Sequence, residues 1–248
     1  MPAVITKAIL LAAGRGTRLG AITATYPKAL LEVGDRPIIV RIIEGLAHAG
    51  IEEIAIVTGH QAALLEAEVG TGAHAGLGII YFRQEKLSGT AHALALARDF
   101  AGEGQFLFGW GDIVVDPTNY RRVLKAARFA DAVIAVNEVD DPSAGAAVYV
   151  DSGMRVTRIV EKPPPGTSST RWNNAGFGVL GPAIWAEIER LAPSPRGEYE
   201  LPRAIAALVA SGSNVRAVPV EGPWFDVGTP DDLAAARTAF ANNPRGKQ

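Results

Sequence analysis

The amino-acid sequence predicts an α/β fold in which a mixed, mainly parallel sheet is flanked by helices. Short apolar runs alternate with longer amphipathic stretches through the first half of the chain, and closely spaced strand-like runs follow Asp131. Such alternation requires a parallel sheet, because parallel neighbours are joined only by a crossover connection. The composition, 48% hydrophobic and 20% charged over 248 residues, is that of a folded globular protein.

The first half of the chain supplies the alternating elements. We predict strands at residues 7–12, 53–58, 78–83 and 106–108, and helices at residues 37–48, 61–69 and 90–100. The first helix has Pro37 in its opening turn, which suits proline because the missing N–H is not needed there. The fourth strand ends in Gly109-Trp110-Gly111-Asp112. We expect this half to form the parallel part of the sheet.

The second half of the chain changes to strands with short connections. We predict strands at residues 132–136, 146–150, 156–160, 175–180 and 215–220, and a helix at residues 199–209. Asp151-Ser152-Gly153 is a turn sequence, and the proline-rich stretch at residues 163–170 predicts a mobile surface loop. Thr229 followed by Pro230 and two acids is typical of a helix start. We expect the last residues, from Asn242, to fray.

Charge and residue usage exclude several classes of partner. With 24 basic and 26 acidic residues, the net charge of −2 gives no field that would attract nucleic acid or an anionic membrane. The chain has no cysteine, which excludes disulfides and a cysteine nucleophile and makes the cytoplasm the expected compartment. The N-terminal apolar run contains Lys7 and stops at Gly14, which fits neither a signal peptide nor a membrane span. We therefore expect a small-molecule ligand.

The first strand runs into a glycine loop, Leu11-Ala12-Ala13-Gly14-Arg15-Gly16-Thr17-Arg18-Leu19. Glycines let backbone N–H groups approach an anion and arginines supply forked donors, so the loop suits phosphate binding; a plain glycine-rich turn is the alternative. It is not a Walker loop, and Leu19 stands where the dinucleotide pattern needs a third glycine. A nicotinamide-dependent oxidoreductase is disfavoured further, because the second strand ends in Thr58-Gly59 and not in a ribose-binding acid.

The glycine loop and the block Tyr26-Pro27-Lys28-Ala29-Leu30 together resemble the signature of the sugar-phosphate nucleotidylyltransferases, also called NDP-sugar pyrophosphorylases. Further blocks follow in the order typical of this family and cover residues 7–235: Gln84 five residues before Gly89-Thr90-Ala91, Gly111-Asp112, Glu161-Lys162-Pro163, Asn174-Ala175-Gly176 and Trp224-Phe225-Asp226-Val227-Gly228-Thr229.

The resemblance implies one Rossmann-like nucleotide-diphospho-sugar transferase domain over residues 1–248. Its nucleotide-binding half is expected at about 1–115 and its acceptor-binding half at about 116–240. Because the sequence ends soon after the helix that follows Asp226, we expect a single activity and no further module.

Transfer of a nucleotidyl group to a phosphorylated acceptor brings two polyanions together. Catalysis then depends on alignment and charge neutralisation, which calls for fixed cations and for Mg²⁺ held by one or two carboxylates. Taken alone, Asp112 also fits a turn and Asp226 a cap before a helix. The resemblance implies that both bind Mg²⁺ and that Arg18, Lys28 and Lys162 complete the catalytic set.

The resemblance also distributes the binding roles. It places Arg18 and Lys28 on the triphosphate, Lys162 on the phosphate of the acceptor, and Glu161 and Asn174 on hydroxyl groups of the sugar. Taken alone, each lysine also fits an ordinary solvated charge. The residues expected to contact the nucleotide are Leu11, Ala13, Gly14, Gly16, Thr17, Arg18, Lys28, Gln84, Gly89 and Thr90, with Arg15 as a secondary candidate.

Two residues depart from the common pattern of the family. Trp110 stands before Gly111-Asp112 where a smaller side chain is usual, and we expect it to pack in the core. Asn173 stands before Asn174, where many members have another residue, and this leaves the identity of the acceptor open.

Gln84 is the candidate for reading the base. Its amide carries one acceptor and two donors, which can pair with the carbonyl and N3–H of uracil or thymine, so UTP or dTTP is expected over GTP. The alternative is that Gln84 only caps its strand. CTP also stays open, because an amide can flip.

The acceptor is the part that the sequence determines least. Glu161 and Asn174 favour a sugar 1-phosphate, while small relatives use heptose phosphate, N-acetylmuramate 1-phosphate, phosphocholine or inositol phosphate. A cytidylyl- or guanylyltransferase that acts on one of these other acceptors is the alternative. The family also includes non-catalytic relatives that sense a nucleotide-sugar or hold a partner subunit. A silent relative would not need the full catalytic set that this chain retains, so we expect an enzyme.

Overall fold

The computed structural model describes residues 4–72 and 75–241. The predicted fraying from Asn242 falls outside the described residues. Within these ranges, nine strands form one mixed sheet with helices on both faces, which confirms the predicted α/β fold. No helix in the described part of the chain is both long and apolar enough to cross a membrane.

The elements alternate as the sequence predicted, with several short additions. The strands are β1 (Lys7–Leu11), β2 (Glu32–Val33), β3 (Arg36–Pro37), β4 (Glu53–Thr58), β5 (Gly78–Arg83), β6 (Phe106–Trp110), β7 (Ile113–Val115), β8 (Ala132–Glu138), β9 (Ala146–Val150), β10 (Val156–Glu161), β11 (Trp172–Leu180), β12 (Val215–Pro219) and β13 (Trp224–Asp226). The helices are α1 (Ile38–His48), α2 (Ala62–Val69), α3 (Thr90–Ala95), α4 (Arg98–Ala101), α5 (Thr118–Ala127), α6 (Ala183–Glu189), α7 (Leu201–Ala210) and α8 (Pro230–Ala241).

The order of strands across the sheet brings four parallel carboxyl ends to one edge. The order is β10-β9-β11-β6-β1-β4-β5, with β8 paired to β11 and β12 paired to β8. Strands β6, β1, β4 and β5 are parallel, whereas β11 runs antiparallel to β6 and β8. In open α/β sheets ligands bind beyond the carboxyl ends of parallel strands, so this edge is where a site is expected.

Each face of the sheet packs against its own helices. Along β1, the fully buried Ile9 faces the layer formed by α3, α6 and α7, and the fully buried Leu10 faces the layer formed by α1 and α5. Burial of both faces explains why the parallel strands appear in the sequence as continuous apolar runs. The rigid sheet then fixes the loops that follow its strands.

Several elements differ from the predicted bounds, and the helices α5 and α6 were not predicted. The helix predicted at 90–100 is two helices, because Ala97 leaves the helical region at φ −100° and ψ 17°. The alanine-rich run contains no glycine or proline that would have indicated the break. Strand β6 extends to Trp110, and β11 begins at Trp172.

Candidate functional site

A cavity of about 520 Å³ opens beyond the carboxyl ends of β1 and β6, as the sheet topology requires. It brings together the predicted residues Leu11, Ala13, Gly14, Arg15, Arg18, Gln84, Gly89, Thr90, Asp112, Glu161, Lys162, Asn174 and Asp226. Gly16, Thr17 and Lys28 do not line the cavity directly. The predicted nucleotide and acceptor groups therefore face one shared space.

Lys28 joins two carboxylates at the end of β6. Its Nζ lies 2.5 Å from Oδ2 of Asp112 and 3.6 Å from Oδ1 of Asp226. The lysine side chain is 11% exposed, so the three charges interact in a partly desolvated setting. One lysine thus faces both predicted metal ligands.

Pairing of two short strands places these carboxylates side by side. Strand β13 runs antiparallel to β7, with Asp226 opposite Ile113, the neighbour of Asp112. The N–H of Val227 donates to the carbonyl of Asp112 at 3.1 Å. The sequence did not predict β7 or β13, because strands of three residues carry too little periodicity.

The electrostatics of Asp226 suit a bound cation. Burial and the neighbouring Asp112 carboxylate raise the pKa of Asp226, while the positive charges of Lys28 and Arg18 oppose that rise. Its Oδ1 atom is buried without a hydrogen-bond partner within the described residues. A cation between the two carboxylates would satisfy this oxygen and remove their repulsion.

The donor set around this oxygen fits Mg²⁺. The described residues hold no group of three or more His, Cys, Asp or Glu side chains arranged for a metal. Mg²⁺ is commonly held by one or two carboxylates and completes its shell with phosphate oxygens and water. Asp112 and Asp226 facing an open cavity meet that requirement.

The glycine loop carries unpaired backbone donors beside the cavity, which Gly14 and Arg15 line. No acceptor within residues 4–72 and 75–241 engages the N–H groups of Gly14, Arg15 and Gly16. Gly16 adopts φ 63°, and its carbonyl accepts a hydrogen bond from the Thr23 hydroxyl at 2.8 Å. Gly16 and the start of the following turn at Thr17 therefore shape the loop, and adjacent N–H groups of this kind can bind an anion.

Arg18 is a second positive charge that acts on Asp226. It is exposed, lines the cavity and approaches Gly228 so closely that a Cβ there would lie 2.9 Å from its guanidinium. Glycine at this position leaves Arg18 room to face Asp226. Arg15 also lines the cavity and is exposed.

Gln84 is held at the end of β5 by two hydrogen bonds. Its N–H donates to the carbonyl of Thr58 at 2.8 Å, and its Nε2 donates to the carbonyl of Gly89 at 3.1 Å. The side chain thus contacts the turn as the strand-cap alternative requires. The amide still has its oxygen and a second hydrogen to offer a ligand, so base reading stays a prediction.

Glu161 and Lys162 form the other end of the cavity. Burial and the nearby Glu200 carboxylate raise the pKa of Glu161 to about 7. Lys162 follows directly with φ 45°, a conformation uncommon for residues other than glycine, and its N–H donates to the carbonyl of Gly145 at 2.8 Å. Such local strain is often found at binding sites, and here it turns the chain away from β10 toward the cavity.

The two asparagines of β11 have different environments. Asn173 is held inside the protein: its Oδ1 accepts from the N–H of Ala146 at 3.1 Å, and its Nδ2 donates to Oδ1 of Asn137 at 3.0 Å. Asn174 accepts from the N–H of Gly176 at 3.0 Å, but its buried Nδ2 has no partner among the described residues. Asn174, unlike Asn173, therefore has donors left for a ligand.

Trp110 packs in the core and also borders the cavity. As predicted, it packs in the core, where it contacts the apolar side chains on both faces of the sheet. It also lies against Gly176, where a Cβ would be 2.2 Å from the indole ring. Gly176 adopts φ 86°, so both space and backbone conformation require glycine there. The indole ring also lines the wall of the cavity.

Sequence reasoning missed one cationic side chain in the cavity. Arg196 lies 3.7 Å from the Glu161 carboxylate and 3.8 Å from that of Glu198, and it also donates to the buried Glu200. These residues are far from Glu161 along the chain and belong to none of the motifs. Only the packing of the segment before α7 against the sheet brings Arg196 to the cavity.

Comparison with known proteins gives a consistent set of matches. Residues 7–243 match the model of a family described as Nucleotidyl transferase. The nucleotidyltransferase Agl11 of low-salt glycan biosynthesis in Haloferax volcanii is 36% identical, with 93% of this chain and 64% of that protein covered. A glucose-1-phosphate thymidylyltransferase of Streptomyces antibioticus is 34% identical, with 92% and 64% covered. The chain thus spans slightly less than two thirds of these two relatives.

A third relative matches over nearly its whole length. UTP–glucose-1-phosphate uridylyltransferase AglF of Haloferax volcanii is 34% identical over 231 residues, with 91% of this chain and 93% of that protein covered. Among solved structures, a Bacillus anthracis protein assigned as a glucose-1-phosphate thymidylyltransferase, in complex with sucrose, has a TM-score of 0.87 and 28% identity. That match covers 97% of both chains. A UDP-glucose pyrophosphorylase complexed with UDP-glucose, at 23% identity and a TM-score of 0.86, shares the fold.

Proposed function

Because this chain belongs to the nucleotidyl transferase family, as its motifs predicted, we propose that it joins a nucleoside triphosphate to a sugar 1-phosphate and releases pyrophosphate. The observation that carries the proposal is the contact of Lys28 with Asp112 and Asp226, two carboxylates that line the same cavity as the glycine loop and Glu161. A reaction between two polyanions needs cations and a metal site at the point where they meet.

The glycine loop side would bind the triphosphate. The free N–H groups of Gly14, Arg15 and Gly16 suit phosphate oxygens, and the Arg18 guanidinium adds forked donors on the same side. Gln84, held by Gly89, would offer its amide oxygen and remaining hydrogen to the edge of the base.

The opposite side would bind the acceptor. Lys162 and Arg196 supply positive charge for its phosphate, and the free Nδ2 of Asn174 supplies a donor for a sugar oxygen. Glu161, with its pKa raised to about 7, can accept from a hydroxyl when ionised and donate to an oxygen when protonated. This mixture of donors and acceptors favours a polyhydroxylated ligand that carries a phosphate.

In the proposed reaction an oxygen of the acceptor phosphate attacks the α-phosphorus of the triphosphate. The new oxygen–phosphorus bond forms as the bond to the β-phosphate oxygen breaks, and pyrophosphate leaves with that electron pair. Lys28 and Arg18 neutralise charge that develops on the phosphates, and the fixed loop and Lys162 hold the two substrates in line. Asp112 and Asp226 would hold Mg²⁺, which would supply further neutralisation of phosphate charge.

The names of the relatives and the hydrogen-bonding groups of the site together indicate which substrates to propose. The relatives at 34% identity are named for thymidylyl and uridylyl transfer to glucose 1-phosphate. Gln84 is compatible with either pyrimidine. We therefore favour UTP or dTTP with a hexose 1-phosphate. The chain has no cysteine, so its fold needs no oxidising compartment, and we assign the reaction to the cytoplasm.

Pyrophosphate release by the purified chain tests this proposal. Each of UTP, dTTP, CTP, GTP and ATP is paired with hexose 1-phosphates, heptose phosphate and phosphocholine at saturating Mg²⁺. We expect release that depends on both substrates and is highest for UTP or dTTP with a hexose 1-phosphate. Specific binding of a nucleotide-sugar without turnover of any pair would instead identify a non-catalytic sensor.

A further inference from the structure

The segment that carries Arg196 is fastened to the turn after β5. The N–H of Tyr199 donates to the carbonyl of Ser88 at 2.8 Å, and the N–H of Ala91 donates to the carbonyl of Tyr199, also at 2.8 Å. The N–H of Leu201 donates to the Thr90 hydroxyl at 2.8 Å. Backbone bonds therefore tie the approach to α7 to the turn that would read the base.

Glycine at position 89 makes this contact as close as backbone allows. A Cβ on Gly89 would lie 2.5 Å from the carbonyl oxygen of Tyr199 and 2.6 Å from its nitrogen. Gly89 also adopts φ 106°. The two segments are in direct backbone contact, so a displacement of one moves the other.

A pair of aromatic side chains packs beside the backbone contact between Gly89 and Tyr199. The rings of His92 and Tyr199 stack with centroids 3.8 Å apart and an angle of 14° between their planes. Both residues are half-buried. The stack restricts the side-chain torsions of Tyr199, and it adds a side-chain contact to the backbone hydrogen bonds that hold this residue.

The other end of the same segment faces the acceptor groups. Arg196, three residues before Tyr199, lies 3.7 Å from the Glu161 carboxylate and donates to Glu200. Glu200 is 5% exposed and directly precedes α7. The segment from 196 to 200 thus contacts the predicted base-reading turn through Tyr199 and the acceptor side through Arg196.

We propose that His92 is a positioning residue for acceptor binding, which acts through its stack on Tyr199 to hold Arg196 beside Glu161. The inference rests on the proposed function, since it takes the Glu161 and Arg196 end of the cavity as the acceptor end. It assigns a role in acceptor binding to a side chain on α3, close in sequence to the residues expected to contact the nucleotide.

The two Michaelis constants separate this role from a local effect. If His92 only supported its own turn, its loss would weaken binding of the nucleotide, because Thr90 and Gly89 are its neighbours in sequence. If it acts through Tyr199, then His92→Ala should raise the KM for the acceptor about five- to tenfold and change the KM for the nucleotide less than about twofold. His92→Phe keeps an aromatic ring and should restore the acceptor KM.

The experiment measures both constants for the wild type, His92→Ala, His92→Phe and the control His48→Ala, whose exposed histidine is the last residue of α1, shortly before the amino end of β4. Tyr199→Leu removes the stack from the other side and should reproduce the His92→Ala result. In a double-mutant cycle, Arg196→Ala should abolish most of the effect of His92→Ala on the acceptor KM, because the stack then has nothing to position.

The outcomes separate this inference from the proposed function. Additive effects of His92→Ala and Arg196→Ala, or a rise confined to the nucleotide KM, would overturn the positioning role while the transferase stands. A wild-type protein with no turnover of any substrate pair would overturn the proposed function and the inference with it.

Discussion

The ammonium group of Lys28 lies 2.5 Å from Oδ2 of Asp112, although 84 positions separate the two residues in the sequence. Lys28 is also 3.6 Å from Asp226. Lys28 offsets one of the two carboxylate charges, and the second, which the exposed Arg18 offsets in part, is left to bind a divalent cation. The same lysine borders the loop that is expected to bind the triphosphate, which makes this contact the centre of the proposed site.

Removal of either carboxylate should lower the activity of the protein much more than its stability. Asp112→Asn and Asp226→Asn should each lower turnover at least about a hundredfold, because each removes one of two ligands for a cation that stabilises charged phosphates. Burial and Asp112 raise the pKa of Asp226, so Asp226→Asn relieves repulsion and should keep or increase the melting temperature. Steady-state rates and thermal unfolding measure both effects.

The control for these variants is Asp140→Asn, whose side chain is fully exposed and forms an ion pair with Arg171. It should leave turnover unchanged. Near-normal activity of Asp112→Asn or Asp226→Asn at saturating Mg²⁺ would show that the residue concerned is not a metal ligand.

Two lysines should give different kinetic signatures. Lys28→Ala should chiefly raise the KM for the nucleotide, because Lys28 borders the glycine loop, whereas Lys162→Ala should chiefly raise the KM for the acceptor. Loss of turnover is expected for both, since each charge also acts on the reacting phosphates. An increase confined to the nucleotide KM in Lys162→Ala would place Lys162 at the wrong end of the cavity.

Gln84 should control the choice of base. We expect UTP or dTTP to be used at least about tenfold more efficiently than GTP, a difference of about 1.4 kcal/mol. Gln84→Ala should reduce that preference, because a site that hydrogen-bonds a base edge discriminates through those bonds. Ratios of kcat/KM across the triphosphates test this. Because Gln84→Ala also removes the hydrogen bond to Gly89, the melting temperature of the variant is measured as a control and should stay close to that of the wild type. A wild-type preference for GTP or ATP would contradict the assignment.

Protonation of Glu161 should appear in the stability of the protein. Its pKa rises from 4.5 to about 7 on folding, so the folded state binds this proton more tightly than the unfolded chain. The free energy of unfolding should therefore fall as pH rises from about 4.5 to 7, with no further contribution from this group above that range. In Glu161→Gln the fall should be smaller.

Urea denaturation at several pH values measures this difference. Glu189→Gln, at a side chain that is 62% exposed, serves as the control and should follow the wild type. Identical pH dependence in the wild type and Glu161→Gln would show that Glu161 titrates normally in the folded protein.

Most of the parallel half of the fold could be predicted because β1, β4 and β6 are buried on both faces, whereas β5 is partly exposed and is recognised from its apolar and aromatic residues alone. Strands β1, β4, β5 and β6 each form an apolar run that ends at a glycine, a polar residue or both. The pairing of β7 with β13 could not be predicted, since strands of three residues carry no readable period. Yet that pairing is what places Asp226 beside Asp112.

Site residues within contiguous motifs could be selected from the sequence, and the structure gathers most of them around one cavity. Arg196 could not, because no local pattern indicates that it contacts Glu161 across the sheet. The sequence also did not indicate that Asn173 is hydrogen-bonded within the protein whereas Asn174 keeps donors for a ligand. Neighbouring residues of one strand point to opposite faces, and the contacts of Asn173 with Ala146 and Asn137, which come from other strands, decide which amide is engaged within the protein.

Phosphorus NMR of the complete reaction tests the central claim most directly, because it identifies the bonds that form and break. The wild-type protein is incubated with UTP or dTTP, glucose 1-phosphate and Mg²⁺. We expect the triphosphate and sugar phosphate signals to be replaced by the two coupled signals of a nucleotide-sugar diphosphate and by an equal amount of pyrophosphate. Release of orthophosphate or nucleoside monophosphate without the diphosphate ester, or no change with any triphosphate and acceptor pair, would contradict the account.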